Sequence, residues 1–181
     1  PAEETLHFPD GLVDFLKAEL GERGTATHAP FAARVALPKN GGEIEWAVAW
    51  PTEGEASMTS YVNTVPTPGG GTHVQGLRSA LSKGLRAYGE LVNNRRAAQI
   101  QPDDVVESAA AVLSVFIPEP QFHGQTKDKL GNPEAAKLVE QVARDHFDHW
   151  LTSAPETANG LLEFIIQRAE ERLQRRADKD V

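Results

Sequence analysis

Two hydrophobic periods alternate along this chain. In "PDGLVDFLKAELGERG" (9–24), Leu12, Phe15, Leu16 and Leu20 recur at helical spacing, and Gly21 and Gly24 supply the stop. A short amphipathic helix is predicted there. The period then drops to two. "FAARVAL" (31–37), "IEWAVAW" (44–50) and "MTSYVNTV" (58–65) read as strands separated by "PKNGG" and "PTEGEAS", and that turn chemistry predicts an antiparallel meander. Within the second strand Ile44, Trp46, Val48 and Trp50 alternate with Glu45, Ala47 and Ala49, which predicts one buried face.

The helical period returns in "TPGGGTHVQGLRSALSKGLRAYGELV". Thr72 is the expected N-cap, and Leu77, Leu81, Leu85 and Tyr88 form the stripe. A shorter helix is expected at about 102–111, opened by Pro102, and a buried strand at 112–117. "NPEAAKLVEQVARDHFDHWLTS" predicts a long helix with Asn132 as cap, Pro133 in the first turn and Leu138, Val142, Phe147 and Leu151 as its apolar residues. A last helix, about 157–178, is apolar at its start and heavily charged at its end. The order of elements predicts an α+β sandwich, a mostly antiparallel sheet with helices on one face, plus a long projecting C-terminal helix.

Composition bounds the chemistry. With 181 residues, 40% hydrophobic and 24% charged, the chain is long enough for one domain with a core. No apolar run approaches the ~18 residues of a membrane helix. The absence of cysteine removes disulfides, thiolate zinc sites and thiol nucleophiles, and fits a cytoplasmic setting. An opening on "PAEETLHF", without Met or a signal peptide, reads as a segment of something longer. Net charge is −8, but it is unevenly spread. Residues 61–101 hold one acid, Glu90, against Arg78, Lys83, Arg86, Arg95 and Arg96, while the segments on either side are each at −6. Such an island is either a solvated helix face or a phosphate-facing surface.

Three motifs carry candidate chemistry. "TPGGGTH" (67–73) opens onto a helix N-terminus, a place that favours anions, yet it matches neither common nucleotide-binding glycine motif and is more often a tight strand-to-helix turn. "DHFDHW" puts His146 and His149 one turn apart beside Asp145 and Asp148, but without further ligands this is better read as a polar stripe flanking the packing residues Phe147 and Trp150. No metal site is expected. "IPEPQFHGQTKDKLGN" (117–132) follows a buried strand that Pro118 and Pro120 forbid from continuing. Its Gln125 and Lys127 would suit a phosphate, one orienting an oxygen and the other supplying charge. Neither a G-x-S-x-G motif nor a marked carboxylate pair is present, so the chain does not read as a self-contained enzyme.

"GGTH" followed by "GLR" one turn later, then "PEPQF-x-GQTK-x-KLGN", resembles the transducer domain of bacterial type IIA topoisomerase B subunits, along essentially the whole chain. The "PT" ahead of the glycines is closer to the ParE type of topoisomerase IV than to gyrase B. The resemblance implies a fold of the ribosomal-protein-S5 domain-2 type. Residues 1–8 would be the tail of an upstream ATPase domain, 9–152 the transducer core, and 153–181 a helix leading toward the metal-binding cleavage domain. It also implies that Gln125 and Lys127 contact the γ-phosphate of ATP bound, with Mg²⁺, in the ATPase domain, Lys127 being catalytic. Thr126 is assigned no contact.

Arg78, Lys83, Arg86, Arg95 and Arg96 would be sequence-neutral contacts to double-stranded DNA in a cavity of the assembled dimer. The implied partners are the two neighbouring domains, a ParC-like A subunit in a heterotetramer, and DNA. The implied work is decatenation and relaxation of DNA in chromosome segregation, at the nucleoid. The chain by itself would neither hydrolyse ATP nor cut DNA. Two alternatives stand beside this, the same domain of gyrase B and a freestanding nucleic-acid-binding module of the same fold.

Overall fold

The computed structural model describes residues 11–37, 42–123 and 129–179. The chain enters through α1 (Leu12–Leu20). Its buried Leu12 and Leu16 lie on one face, i to i+4. No side chain of its own caps it; instead Glu45, reaching from the sheet, accepts the Leu12 amide at 3.0 Å and sets a negative charge at the positive end of the helix. Three strands follow, β1 (Phe31–Ala36), β2 (Glu43–Ala49) and β3 (Ser57–Val62), then two-residue strands β4 (Val65–Pro66) and β5 (Gly70–Gly71). After these come α2 (Thr72–Leu91), a 3-10 turn (Arg95–Gln99), α3 (Pro102–Val106), β6 (Ala110–Phe116), β7 (Phe122–His123), β8 (Lys129–Leu130), α4 (Pro133–Ser153) and α5 (Pro155–Lys179).

The main sheet runs β1-β2-β6-β3-β4. Strands β1, β2 and β6 pair antiparallel, and β3 lies parallel to β6. The expected meander is therefore broken, since β6 occupies the place beside β2 that β3 was expected to take. The third strand is also shorter than its hydrophobic run. Asn63 and Thr64, at φ 48° and 69°, make a two-residue turn into β4, in the left-handed conformation that matches strand twist. The Asn63 side chain then pairs with both backbone groups of Ile117, at 2.9 Å each, and continues the β3–β6 ladder past the turn.

Both faces of the sheet are covered, not one. The larger core joins Ile44, Trp46, Val48 and Leu113 to the stripe of α2 (Leu77, Leu81, Leu85) and to Phe147 of α4. Phe31, Trp50, Phe147 and Trp150 extend it as an aromatic cluster, with Phe31 and Phe147 centroids 4.8 Å apart. On the reverse face α1 packs its leucines on Ala47, Ala49, Ala110, Val112 and Tyr61. Small residues on that face let the helix approach, and so the alternate positions of β2 are buried as well.

Helices α2 and α4 also lie close. A Cβ at Gly76 would strike the Ala136 carbonyl, and one at Gly84 the Phe147 ring. On α4 the buried positions are Ala135, Val139, Ala143, Phe147 and Leu151; the expected Leu138 and Val142 sit at the margin of the core. Helix α3 stops at Val106, short of the expected 111, because Ala110 already belongs to the central strand. Helix α5 is buried through Ala169 and exposed from Leu173 onward. Among the described residues no helix is long and apolar enough to cross a membrane.

Candidate functional site

Gln125 and Lys127 lie outside the described residues, as does Thr126. Their mounting is described. Strands β7 and β8 pair antiparallel, Phe122 with Leu130 and His123 with Lys129, so residues 124–128 join the paired ends of a hairpin. The Gly131 amide donates to the Gln121 carbonyl at 2.7 Å. The buried Asn132 accepts from the Gln121 amide through Oδ1 and donates through Nδ2 to Glu134 at 2.9 Å. Asn132 thus does not cap α4 with its side chain, as its position suggested; its oxygen is committed to the hairpin. The bond to Asn132 holds the Glu134 carboxyl below the usual carboxylate range.

The glycine run is the third side of this mounting. Gly70 and Gly71 pair in parallel with Lys129 and Leu130. Gly71 sits at φ 130°, and a Cβ there would run into the Leu130 backbone. Only glycine tolerates both the dihedral and the approach. The run therefore ties the outgoing strand of the hairpin to the first residue of α2, the turn role that the sequence favoured over anion binding. Gly71, not Thr72, holds the N-cap position.

Beneath the ladder lies a buried polar chain that sequence reasoning missed. Ser60 Oγ lies 2.6 Å from Thr67 Oγ1, which lies 3.2 Å from His73 Nε2. His73 is fully buried, and burial pushes its pKa down to about 4. Its Nδ1 and the Thr72 hydroxyl have no partner among the described residues. Within "GGTH" the histidine is a neutral core residue under the turn.

The five basic residues separate into two sorts. Lys83 donates to Glu140 of α4 at 2.7 Å, alongside Ser79, and these contacts hold the Glu140 carboxyl below its ordinary value, Lys83 chiefly. Arg96 bridges Glu163 and Glu170 of α5 at 3.0 and 2.9 Å, which raises its pKa further. Arg78, Arg86 and Arg95 are in no such pair among the described residues. Arg86 and Arg95 line one cavity of about 540 Å³ beside Glu90 and Asn93. Arg78 lines another, of about 320 Å³, with Gln75, the glycine run and Lys129. The histidines of α4 gather no metal-ligand set: among the described residues no three His, Cys, Asp or Glu side chains group for an ion. His146 stands edge-on to Trp46, centroids 5.6 Å apart, and Asp148 pairs with Arg144.

Comparison with known proteins gives one consistent result. The DNA gyrase B family model matches residues 11–181. The chain is 51% identical, over its whole length, to the B subunit of DNA topoisomerase 4 from Caulobacter vibrioides, of which it covers 27%. It is 48% identical to the same subunit of Bartonella bacilliformis, covering 26%. The chain thus spans about a quarter of the curated relatives it matches. Among solved structures, the 43K ATPase domain of Thermus thermophilus gyrase B, in complex with an aminocoumarin, superposes with TM-score 0.82 at 30% identity, over 94% of this chain and 46% of that one. The topoisomerase IV ATP-binding domain of Francisella tularensis does so with TM-score 0.75 at 30% identity, over 92% and 44%.

Proposed function

The chain belongs to the DNA gyrase B family, and from that premise we propose that it is the transducer domain of a topoisomerase IV type B subunit, with the ribosomal-protein-S5 domain-2 kind of fold. In this reading residues 1–8 end an upstream ATPase domain, 9–152 form the transducer core, and 153–181 lead toward the cleavage domain. The intact subunit would hydrolyse ATP with Mg²⁺ and, with a ParC-like A subunit, pass one DNA duplex through another in the cytoplasm. The ATPase and cleavage chemistry would belong to the neighbouring domains, so the segment alone would be inactive. The names and identities of the relatives support the subunit type.

One observation carries the reading of this segment. Strands β7 and β8, between which Gln125 and Lys127 fall in the sequence, are tied through β8 to Gly70 and Gly71, the residues just ahead of α2. A phosphate held by Gln125 and Lys127 would then be linked, through the backbone pairing of β8 with the glycines, to the helix that bears most of the basic island. Lys127 would place a cation against charge developing on the γ-phosphate, and Gln125 would orient one of its oxygens. Displacement of the hairpin would move α2 as a body with the α4 packed on it, the kind of rigid-body response that couples a nucleotide to a gate.

DNA would meet this segment through the basic island. Arg78, Arg86 and Arg95 are available for phosphate contact, whereas Lys83 and Arg96 reach a phosphate only by releasing their carboxylates. The test of the reading is ATP turnover by the intact B subunit carrying Lys127→Ala. Turnover should fall by roughly a hundredfold or more, while a non-hydrolysable analogue still binds. Unchanged turnover would reduce Lys127 to a surface lysine and remove the proposal.

A further inference from the structure

We propose that Lys129 and Arg78 together form a binding site for one backbone phosphate of duplex DNA, seated where the hairpin meets α2. The inference rests on the topoisomerase reading for the identity of the ligand, but the site itself rests on the cavity. Lys129 belongs to β8 and Arg78 to α2, elements 51 residues apart in the chain, and both line the same 320 Å³ cavity. In β8 the side chains alternate, so with Leu130 buried in the core Lys129 faces out. Its ladder partner is Gly70. Residues 69–71, all glycine, leave no side chain between the two cations.

The charge of the cavity is one-sided. The chain carries 26 acids against 18 bases, and Arg34, Lys83, Arg96, Arg144, Arg168 and Arg172 are each paired with a carboxylate. Lys129 and Arg78 have no such partner among the described residues. No carboxylate is found among the described residues lining the cavity, and the first turn of α2 beside it has no acid either. Two cations held near each other without a counter-charge repel, and an anion between them removes that cost. Gln75, one turn ahead of Arg78, adds a neutral donor at the same wall.

The lining also selects the kind of anion. Its apolar members are Met58, Pro68 and Val74, and among the described residues there is no aromatic ring on which a base would stack. That favours a phosphate over a whole nucleotide. Both cations are exposed, which suits the backbone of a duplex passing over the surface. Held by both residues, that phosphate would bind β8 to α2 at the joint that carries the γ-phosphate hairpin, so that bound DNA stiffens the same joint that ATP moves.

The experiment measures duplex DNA affinity of the full-length B subunit across a salt series, for the wild type, Lys129→Gln, Arg78→Gln and the double variant. Each single variant should lose about tenfold in affinity, and in the double variant the slope of log affinity against log salt should fall by about 0.9, as for one phosphate. A fall of about twice that would mean two separate phosphates and would sink the shared site. No loss of affinity in Lys129→Gln would sink it also. Calorimetric titration with inorganic phosphate distinguishes the source: saturable binding that Lys129→Gln removes, with DNA affinity untouched, would assign the cavity to a free phosphate and overturn the DNA assignment. Because both side chains are exposed, thermal melting should match wild type in all variants. ATP turnover of Lys127→Ala tests the parent reading separately.

Discussion

At the scale of single residues, His73 shows how a site motif and a core position coincide. Its imidazole is buried with one nitrogen on the Thr67 hydroxyl, and desolvation lowers its pKa to about 4 from an ordinary 6.5. As pH falls below 6.5 the unfolded chain takes up the proton first, so stability from this group is lost between about pH 6.5 and pH 4 and does not vary above that window. The loss amounts to about 3 kcal/mol in all, at no more than about 1.4 kcal/mol per pH unit. Replacing His73 with Gln should flatten this part of the profile by up to one proton. Urea midpoints measured from pH 7.5 to pH 4 check it; identical slopes in the two proteins would mean that His73 titrates normally. The sequence showed "GGTH" but not this role, because nothing local tells whether a histidine after a glycine turn points to solvent or into the core. Gln125 and Lys127 suggested a phosphate pair by type and spacing, and they lie outside the described residues.

Elements were easier to read than their pairings. Helices α1, α2, α4 and α5 and strands β1, β2, β3 and β6 lie where periodicity put them, within a few residues at their ends. Their partners were not legible, because the choice of β6 rather than β3 beside β2 is made between segments far apart in sequence. Ala47 and Ala49 held a clue. Alanines on the supposedly open face of a strand leave room for a helix, and α1 takes it. Asn63–Thr64 was a weaker turn sequence than Asn-Gly, so the hairpin there was read as continuous strand.

The glycine run was read as a turn, but not as the strand that clamps the hairpin. Gly71→Ala tests that clamp. The substitution forces a Cβ into the Leu130 backbone at a dihedral that L residues avoid, and should cost about 2 kcal/mol or more. If the clamp holds the hairpin base, hydrogen exchange at the Gly131 amide, bonded to Gln121, should accelerate well before exchange in β6. Equal acceleration throughout would show a general loss of stability instead.

At the scale of the whole molecule, α5 is the last element in chain order, and two kinds of contact hold it to the rest. Its first half is held by apolar burial from Ala158 to Ala169. Beyond that, attachment changes character. Arg96, from the 3-10 turn, grips Glu163 within that stretch and Glu170 just past it. Arg172 donates to both carboxylate oxygens of Asp104, at 2.9 and 3.2 Å, and to the Gln99 carbonyl. Asp104 is 7% exposed and also accepts the Gln101 amide, so one carboxylate closes α3 and anchors α5 together. From Leu173 the helix is exposed, which makes Arg172 its last anchor among the described residues.

Asp104→Asn should therefore cost about 1–3 kcal/mol in urea unfolding, the range for a charged hydrogen bond lost at a nearly buried site. Hydrogen exchange should rise in α3 and in α5 near Arg172, while α1, on the other face of the sheet, stays protected. In the intact subunit, if α5 transmits the movement, ATP turnover should survive this change while strand passage per ATP falls. Loss of both in step would place the anchor in the stability of the domain and not in transmission.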